Sequence, residues 1–448
     1  MLSVVSAAVN ILVYLVVMRL LFKNYGLDSV GFWSLAMALS SVVRLLDFSG
    51  ANTLNRMLPA EARGESDQVD FVDTMSIFLI GFYFSVSVLV FFLSIGYLSD
   101  HNTLGNSTSS SLIFVLCLFS VFLNVLSALN QVALDGLGYS QWRSYTVLAG
   151  SVICLGAAVF LVPKLGLYGL AIAQICQHTS AFVMGRGLLR RLNQKLTWLP
   201  RRFTKNAFVK CWRFGFFFEL VNRPKLALDP MLRLIVGSTA GLEALGLYDL
   251  ANKIIVQVNG LVHAMLSPRV PELADAWSQS DVALRHTFQQ IARLYIPPLM
   301  CIYLLVSVAA FGVSLIVFGE VVPLYIFVSS VLLLGYGLAS PGLISQIFVQ
   351  SMADFRWSVT GQALTILVML VTLSFVMTDI SVQRLAVVVS CSIFLGALVE
   401  YLGVHSRHRL PMLWHKDTGI FSVLSVITFV TLVLSFIYYG LMFADWSN

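Results

Sequence analysis

Long unbroken apolar runs alternate with short polar stretches along the whole 448-residue chain. A helix needs about 20 apolar residues to cross roughly 30 Å of hydrocarbon. Thirteen runs are of that order, near residues 2–22, 30–50, 72–98, 111–134, 145–163, 167–185, 211–236, 246–268, 294–318, 322–350, 358–377, 385–404 and 418–442. The pattern predicts an all-α polytopic membrane protein. An outer-membrane β-barrel is excluded, because its strands alternate apolar and polar over about 10 residues. The first run has no basic segment before it and no small-residue cleavage site after it. It is expected to be a span rather than a cleaved signal peptide.

Composition narrows the class further. The chain is 58% hydrophobic and 11% charged, whereas a soluble domain carries about 25% charged residues to keep its surface solvated. A soluble enzyme is therefore excluded. The net charge of +6 reads as basic loops on the cytoplasmic side, not as a nucleic-acid surface. The stretch from Gly185 to Lys210 holds eight Lys/Arg and no acid. With that loop inside and the spans alternating, 18 bases fall in inside loops, three outside (Lys23, Lys164, Arg384) and seven within spans. The N-terminus is then cytoplasmic, and the C-terminus lies outside if the thirteenth run spans. Six cysteines lie in apolar runs with no CxxC pair and are expected to be small core residues.

An internal repeat is visible. Gly26-Leu-Asp-Ser-Val-Gly-Phe-Trp-Ser-Leu-Ala36 matches Gly241-Leu-Glu-Ala-Leu-Gly-Leu-Tyr-Asp-Leu-Ala251 at an offset of 215 residues. At the same offset Gln131 meets Gln346, Trp142 meets Trp357, and Leu170-Ala171 meets Leu385-Ala386. Six spans per repeat is an even number, so both halves enter the membrane in the same orientation, an arrangement used by transporters. The expected organisation is an N-terminal lobe 1–190 (spans 1–6), a basic cytoplasmic linker 191–210, a C-terminal lobe 211–405 (spans 7–12), and a basic loop with an extra span in 406–448. Two parallel six-helix repeats would then rock around a central cavity.

Ionisable groups inside a bilayer are costly and mark function by default. In the seventh run, Glu219, Asn222, Arg223, Asp229 and Arg233 fall within about 120° on a helical wheel, with Lys225 at the edge. Glu219–Arg223 and Asp229–Arg233 are i,i+4 pairs with the acid first, the favourable order. Pro224 and Pro230 are expected to kink the helix. The bases outnumber the acids, which suits an anionic substrate, since guanidinium binds phosphate bidentately. Purely intrahelical ion pairing is the alternative. In the second run Arg44 and Asp47 share a face, as a structural pair or as part of a site. In the eighth, Asn252, Asn259 and His263 form a stripe beside the i,i+4 pair Asp249–Lys253. His263 is either a hydrogen-bonded core residue or, like Asp47, a proton-coupling group; Glu219 and Asp229 are further coupling candidates. His405, His408 and His415 lie among Arg407, Arg409 and Lys416, which reads as a solvated basic loop rather than a metal site. No metal or cofactor motif is present.

Arg19, then Gly26-Leu-Asp-x-x-Gly-Phe-Trp33 leading to Leu46-Asp-Phe48, resembles the opening of Wzx-type polysaccharide flippases. These belong to the MOP exporter superfamily, alongside MATE drug exporters and the lipid II flippase. Gly166-Leu-Tyr-Gly-Leu-Ala171, Asp229 to Lys253 with Leu245-Gly-Leu-Tyr248, and Ser267-Pro-Arg-Val-Pro-Glu-Leu273 extend the resemblance over roughly residues 1–405. It implies a multi-pass protein of the bacterial inner membrane that flips an undecaprenyl-diphosphate-linked oligosaccharide, in O-antigen, lipopolysaccharide or related assembly. The implied partners are that glycan, membrane lipids, H+ or Na+ as coupling ion, and other polysaccharide-assembly proteins. The family's cationic cavity maps only onto Arg44, Arg223, Lys225 and Arg233; the polar stripes themselves add Asn222, Lys253 and Asn259 as candidate substrate contacts. Thirteen runs depart from the family's twelve or fourteen spans. A cation-coupled MATE exporter commonly has an acid in its first span, where this chain has Asn10 and Arg19. A membrane glycan polymerase or transferase usually has one long outer loop, and no outer loop here exceeds roughly a dozen residues.

Overall fold

The computed structural model describes residues 2–45, 54, 58, 64–100, 107–266, 273, 276, 279–352, 356–376 and 381–408. The expected thirteenth span, 418–442, and Asp47 lie outside these residues. The described elements are α1 (Leu2–Leu45), α2 (Glu65–Asp100), α3 (Ser107–Gly136), α4 (Ser140–Leu165), α5 (Leu167–Leu192), α6 (Lys205–Thr239), α7 (Gly241–Leu266), α8 (Asp281–Phe318), α9 (Pro323–Met352), α10 (Arg356–Val376) and α11 (Val382–His408). Eight of them are long and apolar enough to cross a membrane, and α5, α6 and α7 are also long enough by the rise of a helix alone. The chain is an all-α polytopic membrane protein.

The chain divides into two compact units, Met1–Gly237 and Ser238–Asn448. In the first, α5 packs on α3 and α4, α2 packs on α3, and α1 touches all four. An aromatic ladder, Phe78 against Phe208 and Trp212, then Trp212 against Phe216, ties the start of α6 to α2. In the second unit α11 packs on α9 and α10, α8 packs on α9, and α7 touches α8 and α9.

The two sets of contacts correspond in sequence order. The pairs α2 and α8 (Glu65, Asp281), α3 and α9 (Ser107, Pro323), α4 and α10 (Ser140, Arg356), and α5 and α11 (Leu167, Val382) each begin 215 or 216 residues apart. The repeated motif opens on a glycine of positive φ in both places, +79° at Gly26 and +86° at Gly241. A Cβ at either would meet nothing within 4 Å, so the backbone conformation, not crowding, calls for glycine there. At Gly26 this breaks α1 into two arms; at Gly241 it separates α6 from α7. Val30, Trp33, Leu35 and Ala36 are buried, as are their counterparts Leu245, Tyr248, Leu250 and Ala251. The motif repeats because each copy buries the same helix face.

Three expectations are corrected. Helix α5 continues to Leu192, so Arg186, Arg190 and Arg191 are helical rather than part of a solvated loop. Likewise α11 runs to His408 and buries His405, whose ring lies against Phe288 and Tyr401 while its Nδ1 is 2.8 Å from the Tyr401 carbonyl oxygen. A histidine placed by its charged neighbours in sequence is thus placed by aromatic packing in space. Cys117, Cys154 and Cys211 are buried, but Cys301 and Cys391 are exposed on their helices. In a membrane bundle an apolar outer face needs no protein cover, because lipid is as apolar as the core.

Candidate functional site

Helix α6 carries the densest charge, with eight Asp, Glu, Lys or Arg in 35 residues. It runs as one helix through Pro224 and Pro230. Its final turns hold the one pair of the stripe whose side chains are described. Arg233 Nη2 donates to Asp229 Oδ2 at 2.8 Å, with the guanidinium buried and the carboxylate half-exposed. The acid-first i,i+4 spacing brings these groups together, as helix geometry requires. The backbone of Glu219, Asn222, Arg223 and Lys225 is helical, and their side chains lie outside the described residues.

On α7, Asp249 and Asn252 are buried and Lys253 is half-buried. Asn259 Oδ1 accepts a hydrogen bond from the hydroxyl of Tyr303 on α8, a fully buried tyrosine. Asn259 is therefore held by the second unit's own packing. The His263 side chain lies outside the described residues. Arg44, at the end of α1, is exposed. Asn10, in the first span, accepts from Ser151 of α4 at 3.3 Å. Among the described residues no group of three or more His, Cys, Asp or Glu is placed to hold a metal.

Two buried charged centres escaped the sequence reading. Arg186 on α5 and Asp73 on α2 form an ion pair at 2.6 Å, the side chains 1% and 2% exposed. Around it the connector 193–204 is pinned in place. Arg186 Nε donates to the Thr197 carbonyl, the Arg201 amide donates to Asp73, the Thr204 amide donates to Thr74, and Arg190 lies 5.0 Å over the Trp198 ring. The basic connector is thus a folded element of the first unit. The second centre is Glu400 on α11, buried between Ser358 of α10 and Gln346 of α9. A carboxylate inside an apolar run was available as a signal there.

The fold matches those of known transporters. A multidrug-resistance MATE family transporter of the MOP superfamily, in an inward-facing conformation, superposes with a TM-score of 0.69 at 14% identity, over 91% of this chain and 98% of that one. The lipid II flippase MurJ, in an inward closed conformation, gives 0.62 at 11% identity over 99% and 98%. A MATE transporter of Vibrio cholerae gives 0.67 at 12% identity over 94% and 96%. No curated protein matches the chain in sequence. The fold is the one these MATE transporters and MurJ share. Residues 16–321 match the model of a polysaccharide biosynthesis protein family, and the chain belongs to that family, in line with its Wzx-like motifs.

Proposed function

We propose that this protein is a flippase that carries an undecaprenyl-diphosphate-linked oligosaccharide, an O-antigen or related repeat unit, across the bacterial inner membrane. The lobes 1–190 and 211–405, joined by the linker 191–210, alternate the substrate's access between the two faces. The N-terminus and the basic connector lie in the cytoplasm, by the asymmetry of Lys and Arg across the loops. The family's role in polysaccharide biosynthesis supports a glycan cargo, and a lipid II flippase shares the fold.

One observation carries the reading: the charge surplus on α6. Asp229 neutralises Arg233 in part, and Glu219 matches one of Arg223 and Lys225, so the stripe keeps a net positive charge. A diphosphate is the part of a lipid-linked glycan that such a stripe would hold, with Arg44, Asn222, Lys253 and Asn259 as further contacts. Asp47, Glu219, Asp229 and His263 are the proposed ion-coupling groups, with H+ or Na+ as the coupled ion. Other polysaccharide-assembly proteins are the proposed partners. The same surplus of positive charge disfavours the cationic drugs of a MATE-type exporter.

Deleting the gene and locating the lipid-linked glycan tests the proposal. Glycan stranded on the cytoplasmic leaflet is the expected result, and complementation with Arg223→Ala or Arg233→Ala should fail to clear it while the variant still inserts in the membrane. Unchanged glycan distribution in the deletion strain would overturn the proposal. Full export by both variants would remove the cationic stripe from it.

A further inference from the structure

Glu400 is 2% exposed and lies where three helices meet. Its Oε1 is 2.5 Å from Ser358 Oγ and its Oε2 is 3.2 Å from Gln346 Nε2. The crossing around it is tight. A Cβ on Gly396 would come within 2.6 Å of the Gly361 carbonyl oxygen, and one on Gly403 would overlap the Trp357 ring. Helices α10 and α11 therefore meet backbone to backbone, as small residues allow in membranes. Gln346 and Trp357 are also repeat positions, matched by Gln131 and Trp142. The position matching Glu400 in the first unit is Gly185, so the carboxyl group is particular to the second.

We infer that Glu400, with Ser358 and Gln346, forms a proton-binding site in the second unit that serves as a coupling group of the transporter. Intramembrane carboxyl groups commonly mark such sites, and these two partners suit the role. A serine hydroxyl both donates and accepts, and an amide offers a donor at one atom and an acceptor at the other. When Glu400 is ionised, Ser358 Oγ–H and Gln346 Nε2–H each donate to it. When a proton from water binds Oε1, the new carboxyl O–H donates to Ser358 Oγ, whose own proton turns away. The proton leaves to water by the reverse step, and no heavy atom needs to move.

Access is short. Gln346 lies near the end of α9, Ser358 near the start of α10, and about 12 Å of helix rise separates Glu400 from His408 at the end of α11. The other ionisable side chains of α10 and α9 are Arg356, which is exposed, and Tyr325 and Tyr336, which lie toward the opposite half of α9. Toward the near end, α11 adds Tyr401, His405, Arg407 and His408, and α8 presents Phe288 against His405.

The coupling half of this inference rests on the flippase reading; proton binding does not. Dicyclohexylcarbodiimide, which modifies protonated carboxyl groups in apolar surroundings, provides the probe. The full-length protein is labelled in lipid vesicles across a pH series and the adduct is mapped by mass spectrometry. Label on the Glu400 peptide at acid pH, lost at alkaline pH and absent from Glu400→Gln, is the expected result. An unlabelled peptide at acid pH, or labelling indifferent to pH, would overturn the site. Ser358→Ala keeps the carboxyl group and should shift the labelling midpoint; an unmoved midpoint would overturn the assigned network. In glycan export, Glu400→Gln should lose the pH dependence of the native protein. A native pH profile in that variant overturns the coupling role, whereas absence of any glycan transport by the native protein overturns the flippase reading and leaves the labelling result standing.

Discussion

Replacing Arg186 by Ala should loosen the connector between α5 and α6. In the native protein the Arg186–Asp73 pair is shielded from water, and Asp73 takes one further hydrogen bond, from the Arg201 amide at 3.1 Å. Removing the guanidinium leaves a buried carboxylate held by the Arg201 amide, and it also frees the Thr197 carbonyl. Breaking a buried ion pair from one side costs about 3–5 kcal/mol, equivalent to a hundred- to several-thousand-fold change in an equilibrium constant, at about 1.4 kcal/mol per decade. Limited trypsin digestion reads this directly, because Lys195, Arg201 and Arg202 lie in the pinned segment. Cleavage there should accelerate in Arg186→Ala, and thermal unfolding of the purified protein should begin earlier. The exposed pair Arg143–Asp135, at 52% and 21% exposure, provides the control, since such pairs contribute about 0–1 kcal/mol. Replacing both Arg186 and Asp73 by Leu should cost less than either single change, because no charge is then left buried. Native cleavage rates and a native thermal midpoint in Arg186→Ala would refute the reasoning.

Two further outcomes follow from local geometry. Gly241→Ala should destabilise by about 1–2 kcal/mol, the cost of a left-handed backbone for a residue with a Cβ, and Gly26→Ala should cost at least as much, because φ +79° with ψ 178° is a conformation essentially restricted to glycine even where the space around it is open; melting of the purified variants checks this. Tyr303→Phe removes the donor to Asn259 and should cost on the order of 1 kcal/mol, read as a lowered thermal midpoint, with no effect expected if that hydroxyl faced water.

Much of the architecture was legible in the chain. The apolar runs marked the helices because a bilayer-spanning helix must satisfy its backbone internally and cover itself with apolar side chains. The 215-residue repeat was legible because Gly26 and Gly241 meet the same backbone demand, while Trp33 and Tyr248 fill equivalent buried positions. The Asp229–Arg233 pair was legible too, since i and i+4 lie one above the other on any helix. The charged segment 186–210 was harder to read. Its excess of bases suggested solvated loop, yet α5 runs through its first turns and buries one of those bases. His405 was misplaced for the same reason, its basic neighbours outweighing the aromatic rings it meets only in the folded unit.

The sequence by itself determined the class of protein, the order of its described helices, the duplication, and the charge of α6. Each of these depends on composition or on spacing within one helix. Only the tertiary structure decided that Arg186 closes on Asp73, 113 positions away, and that Glu400 meets Ser358 and Gln346, 42 and 54 positions away. No periodicity along the chain links such partners. They meet because helices pack through small residues and closely fitted faces, and burial then decides which charges must find one another.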